Sequence, residues 1–168
     1  WTNNTNWLTG PLYTWYGVSV INHRVAYLDL KLNNLVGTIP ESIGNLTALQ
    51  QLNLGVNPIY GSIPSTIGNM EILQQVWIAG TDISGPIPPE FGNLSLLNNL
   101  QLNSNQLTGG IPASLGNLTA LKYVWLQNNN LAGSITEELF DAVSREQLQL
   151  TDNCLEGVSP ENISNLVN

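Results

Sequence analysis

The chain has 168 residues, and 42% hydrophobic side chains suffice to bury the core of one domain of ordinary size. Only 10% of residues are charged, and four bases against twelve acids give a net charge of −8, which repels a phosphate backbone or an anionic membrane and argues against nucleic acid as a partner. A single cysteine, Cys154, excludes an internal disulfide and a thiolate metal site, and no apolar run is long enough to insert directly into a membrane.

The chain opens at Trp1 inside a Trp-rich segment with no signal peptide, and so reads as a processed or truncated piece. From Val25 onward one period governs the sequence. Segments beginning at Val25, Leu49, Leu73, Leu97, Leu121 and Arg145 align at a spacing of 24 without a gap, the last ending at Asn168. Their fourth and sixth positions are apolar in every copy (Leu28 and Leu30, Leu52 and Leu54, Val76 and Ile78, Leu100 and Leu102, Val124 and Leu126, Leu148 and Leu150). That alternation predicts short parallel strands near residues 27–31, 51–55, 75–79, 99–103, 123–127 and 147–151, each with one buried face.

The ninth position reads Asn33, Asn57, Thr81, Asn105, Asn129 and Asn153, where a side-chain amide can bond backbone groups as the chain leaves the strand. Position thirteen is glycine in all six copies, from Gly37 to Gly157, as expected of a bend that a Cβ would obstruct. Pro40, Pro64, Pro88, Pro112 and Pro160 follow three residues later, with Thr136 as the exception. The stretch after each, such as Glu41-Ser42-Ile43-Gly44-Asn45-Leu46, is too short for a full helix and predicts one 3₁₀ or α turn.

This pattern, LxxLxLxxNxLxGxIPxxLGNLxx, resembles the plant-type subclass of leucine-rich repeats over residues 25–168. The resemblance implies an α/β repeat fold: a right-handed solenoid of six 24-residue turns (25–48, 49–72, 73–96, 97–120, 121–144, 145–168). It also implies a parallel concave sheet, a second small strand at each Gly-x-Ile-Pro, and short 3₁₀ or α turns on the convex side. Residues 1–24 are similar to a partial N-terminal cap, because Trp15-Tyr16-Gly17-Val18 resembles the W-x-G-V core that precedes such repeats. Where plant caps carry two flanking cysteines this chain has Tyr13 and Val20, and the stretch Trp1–Leu8 is similar to cysteine-less caps of microbial and algal relatives, whose preceding helix would lie upstream. At the other end no polar capping turn shields the layer of Leu148, Leu150, Leu155 and Ile163, as though the piece ended early or another chain covered it.

Positions three, five and seven of each turn face the concave surface, where partners bind in the family. There amides interleave with aromatics, and the ligand-binding candidates are Tyr27, Asp29, Asn53, Trp77, Gln101, Tyr123, Trp125 and Gln127. Aromatic faces beside neutral amides suit glycans or uncharged peptide segments. Five N-x-S/T sequons make Asn3, Asn45, Asn93, Asn117 and Asn162 glycosylation candidates. Catalysis finds little support. His23 lies in a turn before the first repeat strand with no titratable group placed to form a dyad, Asp29 and Lys31 read as an exposed salt bridge, and every glycine has a repeat or turn role rather than a phosphate-loop one. Seven of the twelve acids (Glu137, Glu138, Asp141, Glu146, Asp152, Glu156, Glu161) fall in the last 32 residues and read as a solvated face.

No metal or cofactor is expected, and no enzymatic activity. The chain reads as an extracellular or cell-surface module that recognises a protein or glycan on its concave face. One alternative is a structural subunit of a glycosylated coat or filament, built by end-to-end or lateral self-assembly. Ice binding is a further one, against which stands the irregular seventh-position row Lys31, Gly55, Ala79, Asn103, Gln127, Thr151.

Overall fold

A computed structural model describes residues 1–143 and 147–156. Gly157, Pro160, the glycosylation candidate Asn162 and the apolar Ile163 lie outside the described residues, as do Arg145, Glu146 and Glu161. A short 3₁₀ turn (Leu12–Thr14) leads into the strand pair β1 (Val18–Ile21) and β2 (Arg24–Asp29). Strands then alternate between two sheets: β3 (Gln51–Asn53), β4 (Tyr60–Gly61), β5 (Gln75–Trp77), β6 (Asp82–Pro86), β7 (Asn99–Gln101), β8 (Gln106–Gly109), β9 (Tyr123–Trp125), β10 (Asn130–Ser134), β11 (Leu148–Gln149) and β12 (Cys154–Glu156). The larger sheet runs β1-β2-β3-β5-β7-β9-β11 and the smaller β12-β10-β8-β6-β4.

From β2 onward every pairing in the larger sheet is parallel, and each joins residues 24 apart: Leu28 to Leu52, Leu52 to Val76, Val76 to Leu100, Leu100 to Val124. The sequence period is therefore the register of the sheet. β3, β5, β7 and β9 begin where the alternation places them but end two residues early, because the eighth position turns left-handed in each copy (Leu32, Val56, Gly80, Ser104, Asn128, Asp152), whereas β2 starts earlier than expected, at Arg24, where it pairs with β1, and β11 is only Leu148–Gln149. Ladder hydrogen bonds nonetheless continue to that corner, as in Leu54 N–H to Trp77 O and Val56 N–H to Ala79 O, both 2.8 Å.

β1 pairs with β2 antiparallel through a two-residue turn, Asn22-His23, with φ of 49° and 61°. Two left-handed residues in succession match the twist of a tight hairpin, so His23 sits exposed in a turn as its sequence position predicts. The hairpin covers the edge that β2 would otherwise leave unpaired. Gly17 enters it with φ of 74° and lies so close to Asp29 O that no Cβ fits, which explains the glycine of the Trp-x-Gly-Val core. Trp7 lies between Trp1 and Trp15, with ring centroids 4.7 and 4.9 Å away. Trp7 and Trp15 pack against the core beside the first turn.

The core is one continuous cluster running from Val18 to Leu150, one layer per turn. Between layers stand the ninth-position amides. The Asn129 amide N–H₂ donates to Leu102 O and Leu126 O (3.0 Å each) while its Oδ1 accepts from Leu107 N (3.0 Å). Asn57 and Asn153 repeat this pattern, and Asn105 repeats its two donations while its Oδ1 accepts from Thr81 N, each amide tying its own turn to the preceding one. Thr81, with no amide, donates its hydroxyl to Asn105 Oδ1 instead. Asn33 has no repeat turn before it, and holds the cap: its amide donates to Asn3 O (2.8 Å) and accepts from Asn3 N (2.6 Å).

Opposite the larger sheet, four 3₁₀ turns (Glu41–Asn45, Ser65–Asn69, Pro89–Asn93, Ala113–Asn117) each follow a proline in extended conformation. Where Thr136 replaces proline the segment becomes a true helix, α1 (Glu137–Ala142), and the Thr136 hydroxyl accepts from Leu139 N. Position thirteen needs a corrected explanation. Gly37 and Gly133 have open space where a Cβ would stand, and what demands glycine there is a positive φ (129° and 88°) rather than obstruction.

Candidate functional site

The parallel register assembles the sequence-selected residues into rows on the outer face of the larger sheet. Tyr27, Gln51, Gln75, Asn99 and Tyr123 are successive partners in one row, and Asp29, Asn53, Trp77, Gln101 and Trp125 in the next. Leu28, Leu52, Val76, Leu100 and Val124 between them point into the core, all but Leu28 fully buried. Trp77 and Trp125 are two strands apart with Gln101 between, a separation of about 10 Å at the usual strand spacing.

The candidates differ in how much each presents. Tyr123 is exposed, Trp77, Gln101, Trp125 and Gln127 are half-buried, and Tyr27 donates its hydroxyl to Gln50 Oε1 at 3.2 Å. Asn53 is only 7% exposed, with its Oδ1 accepting from Gly55 N (3.2 Å), so it lies at the floor of the face and not on its surface. The expected Asp29–Lys31 salt bridge takes another form: Asp29 Oδ1 accepts from the backbone N–H of Lys31 at 3.2 Å. The Gln101 amide donates to Asn99 Oδ1 at 3.1 Å. Three polar atoms on this face, Trp77 Nε1, Asn103 Oδ1 and Gln127 Oε1, are buried without a hydrogen-bond partner.

Reasoning from the sequence did not anticipate a notch in this face. Gly55 and Ala79, adjacent in the seventh-position row, leave a depression of about 330 Å³ bounded by Trp77, Asn53, Val56, Lys31 and Gln101. Two small residues in successive turns of an otherwise long-side-chain row were the available signal. Among the described residues no cluster of three histidine, cysteine or carboxylate groups could hold a metal ion, and no helix is long and apolar enough to cross a membrane. The sequon asparagines Asn45, Asn93 and Asn117 each end a 3₁₀ turn and are exposed, on the side of the core away from the aromatic rows. Asn3 lies in the cap, where its Oδ1 accepts from the Thr5 hydroxyl at 2.6 Å.

Stacked parallel strands at a 24-residue period, joined by asparagine ladders, define the leucine-rich-repeat class of folds. The family model described as a leucine-rich repeat region matches residues 22–152, and the chain belongs to that family. It is similar to a chain in the BIR3–SERK2 complex of Arabidopsis thaliana: 31% identity, TM-score 0.81, covering 94% of this chain and 85% of that one. It is also similar to the ectodomain of the Arabidopsis thaliana receptor kinase GASSHO1/SCHENGEN3, solved in complex with CASPARIAN STRIP INTEGRITY FACTOR 2 (32% identity, TM-score 0.80, 97% of this chain). A plant ice-binding protein matches at 30% identity and TM-score 0.82 over 92% of this chain. The chain spans only 23% and 51% of the length of the latter two. No curated protein sequence matches it.

Proposed function

We propose that this chain is an extracellular or cell-surface recognition module, without enzymatic activity, that binds a protein or glycan partner on the concave face of a right-handed solenoid. In this reading residues 1–24 form the cap and residues 25–168 six turns, and Asn45, Asn93 and Asn117 are open to glycosylation without obstructing the ligand. The observation that carries it is the pair of outward rows in which Tyr27, Trp77, Tyr123 and Trp125 alternate with neutral amides. A chain of the BIR3–SERK2 complex and a receptor-kinase ectodomain solved with CASPARIAN STRIP INTEGRITY FACTOR 2, at 31% and 32% identity, support the same class of function.

Tryptophan and tyrosine dominate binding energetics because they offer large contact area at low entropic cost. The test is calorimetric titration with the partner captured from the native source. The Trp77→Ala/Trp125→Ala double variant should lose about 2 kcal/mol or more of affinity, and Glu41→Ala, on the opposite side, less than about 0.5. Undiminished affinity in a folded double variant would move the site elsewhere. The plant ice-binding relative favours ice binding as a second reading. A clear thermal hysteresis in cooled solutions would establish it, and its absence would remove it.

A further inference from the structure

The hairpin of the cap closes the larger sheet, but the smaller sheet keeps an open edge at the first turn. Thr2 N–H reaches Asn33 O (2.7 Å) and Asn3 bonds the Asn33 amide; beyond that corner the cap makes no hydrogen bond to residues 34–40. A cavity of about 320 Å³ opens there, lined by Trp1, Trp7, Val36 and Ile39 and by the core residues Leu28 and Leu30. Leu28 accordingly stays 8% exposed, where its partner Leu52 is 0%.

The contacts that join one turn to the next define what this edge lacks. Tyr60 N–H donates to Gly37 O (2.9 Å) and Asp82 N–H to Ile59 O (2.8 Å). Their counterparts at the same repeat positions of the first turn, Val36 N–H and Asn34 N–H, meet no acceptor among the described residues. Thr38, Ser62 and Pro86 lie over the next glycines, Gly61, Gly85 and Gly109, within 3.1 to 3.8 Å of where a Cβ would stand. Gly133 has nothing over it because Gly110 holds that position, and Gly37 has nothing over it although no glycine intervenes. The residues that follow, Ile39, Ile63, Ile87 and Ile111, turn into the core. One more strand in this register would supply two carbonyls to Asn34 and Val36, a small residue over Gly37 and an aliphatic side chain to the cavity.

We infer that residues 34–36 receive an extended segment of a partner protein as an added parallel strand, of the pattern aliphatic-x-Gly-small-aliphatic-Pro. Main-chain hydrogen bonds hold such a strand, and the cavity beside Trp1 and Trp7 selects its second aliphatic side chain. The site continues the stacking interface of the repeats and is separate from the aromatic rows. A second copy of this chain has no such segment to offer, because its own are paired in the smaller sheet with their isoleucines buried.

The probe is the acetylated, amidated decapeptide Asn-Pro-Ile-Tyr-Gly-Ser-Ile-Pro-Ser-Thr, a copy of residues 57–66, titrated into the whole chain and followed by amide NMR. It should bind at roughly millimolar concentration or below, shifting Asn34, Val36 and the Trp1 indole while Trp77 and Trp125 stay unmoved. Aspartate in place of its second isoleucine should abolish binding. Val36→Pro removes a donor that bonds nothing within the chain, and Trp1→Ala removes a ring that is more than half exposed. Each should weaken binding tenfold or more with unchanged circular dichroism. No binding at several millimolar, equal binding of the aspartate peptide, full binding to folded Val36→Pro, or shifts confined to Trp77 and Trp125 would each overturn the inference. Self-association of the chain alone through Asn34 and Val36 would assign the edge to a second copy and overturn it as well.

Discussion

The buried amide of Asn129 bonds three backbone groups in two successive turns, a task no apolar residue of its size can perform. Asn129→Ala strands Leu107 N in a nearly dry layer, while Leu102 O and Leu126 O each lose one of two amide donors and keep that of Asn105 or Asn153. At about 1–3 kcal/mol for an unsatisfied buried group, the variant should lose about 2 kcal/mol in a urea unfolding series. Glycines divide by cause. A Cβ on Gly92 would stand 2.5 Å from Ser114 Cβ of the next turn, whereas one on Gly133 meets nothing and suffers only its φ of 88°. Gly92→Ala should therefore cost about 3 kcal/mol, and Gly133→Ala about 1–2 kcal/mol, in the same measurement. A reversed order would mean that backbone conformation outweighs the packing of successive 3₁₀ turns. The asparagine ladder was legible from sequence because it recurs at one position with one chemical role. The close approaches at Gly44, Gly68, Gly92 and Gly116 were not, because a glycine needed for space and one needed for φ look the same in one dimension.

Among the elements, the exception to the proline rule is the informative one. Proline fixes φ and offers no N–H, so the four segments that follow it begin extended and close as single 3₁₀ turns. Thr136 takes the same place with a hydroxyl that accepts from Leu139 N, and six residues continue as α1 with Glu137 and Glu138 in its first turn. Losing that cap should lower stability by about 1 kcal/mol in Thr136→Ala, with Thr136→Ser near neutral, read as a shift in the urea midpoint. Equal losses in both would show that the methyl group matters and not the hydroxyl. The starts of β3, β5, β7 and β9 were readable because burial alternates with period two, while strand ends depended on a left-handed corner at the eighth position. Leu32 and Val56 occupy that corner against their intrinsic preference, so propensity alone misplaces it. The antiparallel β1 carries no 24-residue signature, and the notch at Gly55 and Ala79 arises only when two rows are set side by side.

Across the whole molecule each turn contacts chiefly its neighbours, which makes the fold divisible in a way a globular core is not. Excising residues 97–120 removes one complete period and joins Leu96 to Leu121, so that Trp125 takes the register of Gln101 beside Trp77. Every ladder finds an equivalent partner: Asn129 supplies the carbonyl oxygen that Thr81 receives from Asn105, and Leu121, Val124 and Leu126 replace Leu97, Leu100 and Leu102 in the core. The shortened chain should fold with unchanged circular dichroism per residue and a lower Tm, because one layer of burial is lost. Its tryptophans, however, would stand one strand spacing apart, about 4.8 Å, half their separation in the whole chain. Affinity for the partner of the aromatic rows should then fall at least tenfold in calorimetric titration, although both rings and the Gly55–Ala79 notch remain. Retained affinity in the folded deletion would show that a single tryptophan and the notch suffice, and that the two-turn spacing carries no recognition.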